Sequence, residues 1–285
     1  MNEMDFLAGL RELPLHPGAR GLEDDCAVLQ FGNEALIINH DMMAEDTHFL
    51  PHADMSDVAW KLVALNLSDL AAKGAEPLGV LLGHTLGGDD SSFLSGLNEV
   101  LAVYDVPLLG GDTISSTGAS TFGLTAIGRA THLPVPSRRG AKVGDSLYVT
   151  GPIGRAMLGF EGKEAHRDAF NRPQPRLAEG RALAPIVSAM MDISDGLLLD
   201  AWRMASINEV TLRLDTEAIP VAEPKRFDEC IRWGDDYELL FAVPPKVDVP
   251  VEAVRIGEFE PKGNAPLILG QTPLNSPDSL GYSHG

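Results

Sequence analysis

The sequence predicts an α/β protein of about two domains, on three observations. Its 285 residues suit two units of roughly 150 residues each. Short apolar runs of strand character alternate with stretches of helical period. A polar stretch rich in Pro and Gly, "THLPVPSRRGAKVGD", interrupts that alternation near the middle, where a domain boundary is expected. We therefore divide the chain into residues 1–135 and 136–285. An apolar fraction of 44% supports a large core and argues against disorder.

The elements follow in order. Residues 4–12 read as a short amphipathic helix, and 26–31 and 35–40 as strands. "SDVAWKLVALNLSDLAAKG" reads as one long helix, with Ser56 as N-cap, acid in the first turn and Gly74 at the left-handed C-terminal position. "PLGVLLGHTL" is a strand. "SSFLSGLNEVLAVYD" is a second helix with a Ser cap. "VPLLGGD" and "STFGLTAIGRA" are strands. The first half thus reads as alternating βα structure ending near 130. In the second half "SLYVTG" is a strand followed by a helix from about 152. A further helix begins after the prolines of "NRPQPRLAEGRALAPIV". "AMMDIS" is a short strand, "DGLLLDAWRMAS" a helix, and "VTLRLD" and "YELLFAV" strands. Short strands near 253–259 and 266–269 complete the chain.

Composition excludes several classes. The chain has 41 acids and 22 bases, a net charge of -19, with no basic stripe for nucleic acid and no attraction to an anionic membrane. No run approaches the ~18 apolar residues of a spanning helix, and the first residues lack the basic start and apolar core of a signal peptide. Cys26 and Cys230 lie far apart, so two reduced thiols in a cytoplasmic protein are expected rather than a disulfide framework or zinc site. There is no Walker-type P-loop, no G-x-G-x-x-G and no H-E-x-x-H.

Aspartate at the edges of apolar elements is what stands out. Asp25, Asp41, Asp69, Asp112, Asp192 and Asp195 each adjoin an apolar run. One such Asp is ordinarily a cap or turn former. Six together point to a shared site, because a carboxylate among apolar residues is costly unless paired or bound to metal. Oxygen ligands without Cys or clustered His suit Mg²⁺, and several acids around several Mg²⁺ suit a polyphosphate. In the long helix Asn66, Asp69 and Lys73 share a face. They form either a solvated stripe with an Asp69–Lys73 ion pair or one wall of a metal site. "VTGPIG" is a strand–Gly–helix turn, either a tight turn or a phosphate cradle. Arg138 and Arg139 are either a solvated doublet or a phosphate clamp. His48 is a structural hydrogen bonder or a substrate contact.

The ordered set "GLEDDCAVL", "NHDMMAEDTHFL", "NLSDLAAKGAEP", "LLGGDT", "GDSLYVTGPIG", "RPQPRL", "MDISDGLLLD" and "GDDYELLF" resembles the thiamine-monophosphate kinases, of the aminoimidazole-ribonucleotide-synthetase-like superfamily. The resemblance implies an α+β N-terminal domain that dimerises through its sheet and an α/β C-terminal domain packed against it. It implies ATP-dependent phosphorylation of thiamine monophosphate to thiamine diphosphate, with Mg²⁺. Carried over residue by residue, Asp25, Asp41, Asp69, Asp112, Asp192 and Asp195 match metal-binding acids, with Asp69 a candidate to bridge ions. Asn39 and His40 stand where hydroxyl residues usually precede Asp41, within the metal-binding segment. Tyr104, Gly111, Asp112, Arg138 and Ser194 match positions near ATP, with Arg138 facing phosphate charge. His48 and Asp235 match substrate-side positions, and Tyr282 is a candidate thiamine contact. Lys73 stands where a Met is usual, and Trp233 and Asp235 replace a Gly and a Glu. The alternatives are another ATP-using enzyme of the superfamily, or a catalytically weak nucleotide-binding regulatory protein.

Overall fold

The computed structural model describes residues 3–282. After α1 (Glu3–Arg11) and a 3₁₀ turn come β1 (Ala27–Phe31), β2 (Glu34–Ala44), α2 (Met55–Ala72), β3 (Ala75–Leu86), α3 (Asp90–Tyr104), β4 (Leu108–Ser115) and β5 (Thr121–Ala130). These strands form one sheet in the order β1-β2-β5-β3-β4. Only β3 and β4 run parallel, joined by the α3 crossover. β5 inserts antiparallel between β2 and β3. The simple βα alternation expected for this half is therefore corrected: one β-α-β unit sits in an otherwise antiparallel sheet.

The second half holds β6 (Ser146–Val149), α4 (Arg155–Phe160), α5 (Arg167–Asn171), α6 (Leu177–Leu183), β7 (Ala189–Asp192), α7 (Leu197–Ile207), β8 (Thr211–Leu214), α8 (Phe227–Cys230), β9 (Leu239–Val243), β10 (Val254–Glu260), β11 (Leu267–Leu269) and β12 (Thr272–Leu274). Its seven-stranded sheet runs β12-β11-β8-β10-β6-β9-β7.

Helix α2 organises the molecule. It is apolar nearly all round, so it must be covered on every side. The first sheet, α3, α6 and β7 provide that cover. α6 approaches closely because Gly180 has no side chain: a Cβ there would lie 2.0 Å from the Ala71 carbonyl oxygen. The polar residues of α2 and its C-cap (Asp57, Lys61, Asn66, Ser68 and Lys73) are consequently buried and need partners. The helix ends at Gly74, whose φ is +60°.

Two caps differ from expectation. Asp54, not Ser56, caps α2 by accepting from the Ser56 N–H. Asp89 caps α3 by accepting from the Ser92 N–H. A carboxylate just upstream of each serine takes the orphan donor, and its charge also suits a helix N-terminus.

Two of the expected strands run longer than their apolar stretches. β2 continues past Asp41 to Ala44 and β4 past Asp112 to Ser115. Both aspartates therefore lie inside strands rather than at their ends, and the two-residue side-chain period decides which face each occupies.

Candidate active site

Three carboxylates from separate segments converge. Asp25 precedes β1, Asp69 lies on α2 and Asp192 ends β7. Each offers an oxygen, and these oxygens lie within 4.8 Å of one another. The group joins both halves of the chain. Asp41 on β2 joins it through a hydrogen bond between its carboxyl and that of Asp69. Burial, and then the charges of Asp41, Asp192 and Asp25, push Asp69 well above the ordinary carboxylate range. Burial likewise raises Asp41. Asp192 is pushed up to about 7, chiefly by burial and next by the Asp25 charge. These groups gain from a cation that none of them can supply.

The scaffold around them is polar and ordered. Asn39 donates through Nδ2 to Asp69 Oδ2 at 2.8 Å and to Asn66 Oδ1 at 3.0 Å. Asn66 Oδ1 also accepts from the Asp41 N–H, and Asn66 Nδ2 donates to the Leu62 carbonyl. Ser68 Oγ donates to Asp192 Oδ2 at 2.6 Å. Asn39 Oδ1, however, is buried with no hydrogen-bond partner. A buried acceptor without a donor is costly. The amide that carries it is bonded to Asp69, and carboxylate and amide oxygens are the donor types magnesium takes. By this test Asp25, Asp69, Asp192, Asp41 and Asn39 fit a divalent cation.

Asp195, Ser194, Tyr282, His48 and Asp235 lie in turns and loops that are tied together by hydrogen bonds. Asp195 is held by Arg203 at 2.5 Å. The Asp195 carbonyl accepts from the Tyr282 N–H at 2.9 Å, so the C-terminal segment folds back onto the "DISD" turn. Ser194 helps shape that turn: its carbonyl accepts from the Asp235 N–H at 2.8 Å. His48 and Asp235 are joined by Lys61, whose Nζ donates to Asp235 Oδ2 at 2.7 Å and to the His48 carbonyl at 3.3 Å. The same ammonium lies 3.8 Å from the Phe170 ring centre. Tyr237 donates from its hydroxyl to Asp235 Oδ1. Its phenol is raised by burial first, then by Asp235, with smaller contributions from Asp192 and Asp41. His48 Nδ1 accepts from the Ala44 N–H, which fixes the ring in its turn.

Four expected site residues are not brought into the cluster. Asp112 and His40 lie on the outer face of the first sheet. By register Asp41 aligns with Leu124, Leu82 and Gly111, so their neighbours Asp112 and His40 face the other way. Three strand spacings, about 14 Å, separate Asp112 from the Asp41 position. Asp112 accepts from the N–H of Thr113, its neighbour, and His40 Nδ1 meets Thr125 Oγ1 at 2.9 Å. Gly111 answers a packing need, since a Cβ there would lie 2.0 Å from the Leu82 carbonyl oxygen of β3. Tyr104 packs edge-on to Trp60, about 13 Å along α2 from Asp69.

Arg138 is committed inside the protein. Nε donates to Asp25 Oδ1 at 2.6 Å and Nη2 pairs with the same oxygen. Lys73 does not pair with Asp69; it meets Asp24 and Asp25 instead. Sequence reading also missed Lys61 and Asp200, and it gave Asp24, visible beside Asp25, no role. Asp200 is fully buried and accepts from the Ser194 and Asp195 N–H groups, clamping their turn. Burial raises it to about 6 against the opposing Arg203 charge. Its signal was present as a lone acid in "GLLLDAW".

Known proteins share this arrangement of chain. Residues 23–130 match the model for the AIR synthase related protein N-terminal domain, and 142–264 match that for the C-terminal domain. Thiamine-monophosphate kinase of Salmonella typhimurium is 36% identical, over 79% of this chain and 76% of that protein. The Caulobacter vibrioides protein of the same name is 35% identical, over 99% of this chain and 91% of its own. A solved structure, AaThiL complexed with AMPPCP and TMP, superposes with a TM-score of 0.87, covering 100% of this chain and 97% of that one at 24% identity; at that identity it shows the shared fold. Relatives this similar, aligned along most of both chains, make this chain a member of the thiamine-monophosphate kinase family.

Proposed function

We propose that the chain transfers the γ-phosphoryl group of ATP to the phosphate of thiamine monophosphate, giving thiamine diphosphate and ADP. A new P–O bond forms from an acceptor phosphate oxygen as the β–γ bridging bond breaks, directly and without a phosphoenzyme. The observation that carries this reading is the buried carboxylate group of Asp25, Asp69 and Asp192 with the unpartnered Asn39 oxygen beside it, in a chain of this family. Bound Mg²⁺ would neutralise and align the phosphate oxygens. The protein's own residues do the rest. Asn39, Asn66 and Ser68 hold the carboxylates in place, and Asp200 and Ser194 hold the turn that carries Asp195. Lys61 fixes Asp235 against His48 on the substrate side.

The acceptor needs no dedicated base, because a phosphate monoester with a second pKa of about 6 is mostly ionised at neutral pH. A hydroxyl acceptor would need a positioned base within about 3 Å. Incubation with ATP, Mg²⁺ and thiamine monophosphate is expected to give thiamine diphosphate. Unphosphorylated thiamine should stay unconverted, and EDTA should stop the reaction. Conversion of thiamine at a comparable rate would overturn this account of the acceptor. The commitment of Asp25 to Lys73 and Arg138 favours a second reading, a nucleotide binder without turnover. ATP binding with no thiamine diphosphate formed would select it.

We also infer a homodimer formed through the first sheet. Phe31, Met42, Leu81 and Ile114 share its outer face by register and are exposed. Several large exposed apolar side chains on one face mark an interaction surface, and a second copy laid on it would also cover Asp112 and His40. Those two remain proposed site residues only in such a dimer. Sedimentation at micromolar concentration should give twice the 30.5 kDa chain mass, whereas a monomer alone would refute the inference. Among the described residues no helix is long and apolar enough to cross a membrane. Both cysteines are free and buried, which supports a reducing, cytoplasmic setting.

A further inference from the structure

Lys73 is a buried ammonium inside an acidic cluster. Its side chain has no exposure. It follows Asp69 by four residues, the spacing of a helical ion pair, yet it reaches Asp24 Oδ1 at 2.5 Å, Asp25 Oδ2 at 2.5 Å and the Met190 carbonyl at 3.4 Å. The ammonium donates hydrogen bonds to Asp24 and Met190 and makes an ion pair with Asp25 Oδ2, which accepts no hydrogen bond. The three side chains are shielded from solvent together, with exposures of 0% for Lys73, 2% for Asp24 and 0% for Asp25.

The cluster is thereby divided. Asp24 and Asp25 are compensated by Lys73, Arg138 and Arg20. Asp41, Asp69 and Asp192 have no cationic side chain paired with them among the described residues. Asp25 belongs to both parts, because it is also one of the three converging carboxylates. A fixed charge on Asp25 competes with any divalent ion that would bridge it to Asp24.

We propose that the Lys73 ammonium is a resident cation of this site, fixed between Asp24 and Asp25 where a divalent ion would otherwise bind, so that the chain takes up one exchangeable metal ion fewer than its carboxylates could hold. The proposal rests on the metal-dependent reading of the site given above, but its test does not need turnover. Mn²⁺ alone is titrated into the full chain and the bound ions are counted by electron paramagnetic resonance. Lys73→Met, close in length and uncharged, and Lys73→Gln, which keeps two donors, should each bind one more Mn²⁺ per chain than the unsubstituted protein. Their melting temperatures should also rise more steeply with Mn²⁺. Lys73→Arg should keep the original count.

A neutral variant that folds only when Mn²⁺ is present supports the proposal, since the ion then takes the vacated place. An unchanged count in a folded neutral variant overturns it, as does misfolding of both variants that millimolar Mn²⁺ does not rescue. If the count rises but thiamine diphosphate is never formed by the unsubstituted chain, the functional reading fails and the resident cation stands. If thiamine diphosphate is formed and the count is unchanged, the resident cation fails and the functional reading stands.

Discussion

Asp69→Asn is expected to lower turnover at least ~10²-fold while making the metal-free protein more stable. The loss follows if metal-held charge supplies several kcal/mol of transition-state stabilisation, because Asp69 stands at the centre of the group with Asp41, Asp25 and Asp192 around it. The gain has a separate cause. Burial and then three neighbouring carboxylates raise Asp69, so without metal its ionisation is costly in the fold and easy in the unfolded chain. Asparagine keeps an oxygen to accept from Asn39 and adds a donor toward Asp41. Relief of about 1 kcal/mol raises the melting temperature by roughly 2–4 °C in domains of this size.

The sign with pH follows from linkage. Below about pH 3, well under the ordinary carboxylate pKa of about 3.9, the group binds its proton in both states and the substitution changes little. As pH rises above that, the unfolded chain ionises first, the native protein loses relative stability and the advantage of asparagine grows. Calorimetry in EDTA at pH 4.5 and pH 8, beside a turnover assay, checks both parts. Near-full activity would sink the shared-metal reading, and a lower melting temperature at pH 8 would sink the account of carboxylate crowding.

Arg138→Met is expected to cost about 3 kcal/mol of stability, or roughly 6–12 °C in melting temperature. Removing one partner of a buried ion pair leaves the other charge uncompensated, and Asp25 has no side-chain exposure. The lower end of the usual range applies because the guanidinium keeps 20% of its exposure and Lys73 still meets the other Asp25 oxygen. Arg138→Lys should recover only part of the loss, since an ammonium cannot reproduce the two nitrogen contacts. Arg138 was expected from the sequence to face ATP phosphates. If that were its only role, Arg138→Met would raise the KM for ATP and leave the melting temperature unchanged. Calorimetry and ATP saturation curves on the same preparation separate the two roles.

Much of the site was legible in the residues, because local rules act on short stretches. A 19-residue stretch of helical period, mostly apolar and closed by Gly74, makes a helix that needs cover on most of its faces. Acids beside such runs are too costly to be incidental, which singled out Asp25, Asp41, Asp69, Asp112, Asp192 and Asp195 before any contact was known. Long-range geometry decided the rest. β2 and β4 run past their aspartates, so the period of two sends Asp41 inward with Asn39 while His40 and Asp112 turn outward. Helical spacing offered Asp69 as the partner of Lys73, but the loop carrying Asp24 and Asp25 brings two carboxylates to the same ammonium and wins by charge. Arg138 reads as either a solvated linker residue or a phosphate clamp until the loop before β1 lies against it. The sequence by itself determined which residues cannot be left alone in a core. Only the tertiary structure decided which of them neutralise one another and which are left for a metal, because ion pairing depends on distances between segments that the chain order does not specify.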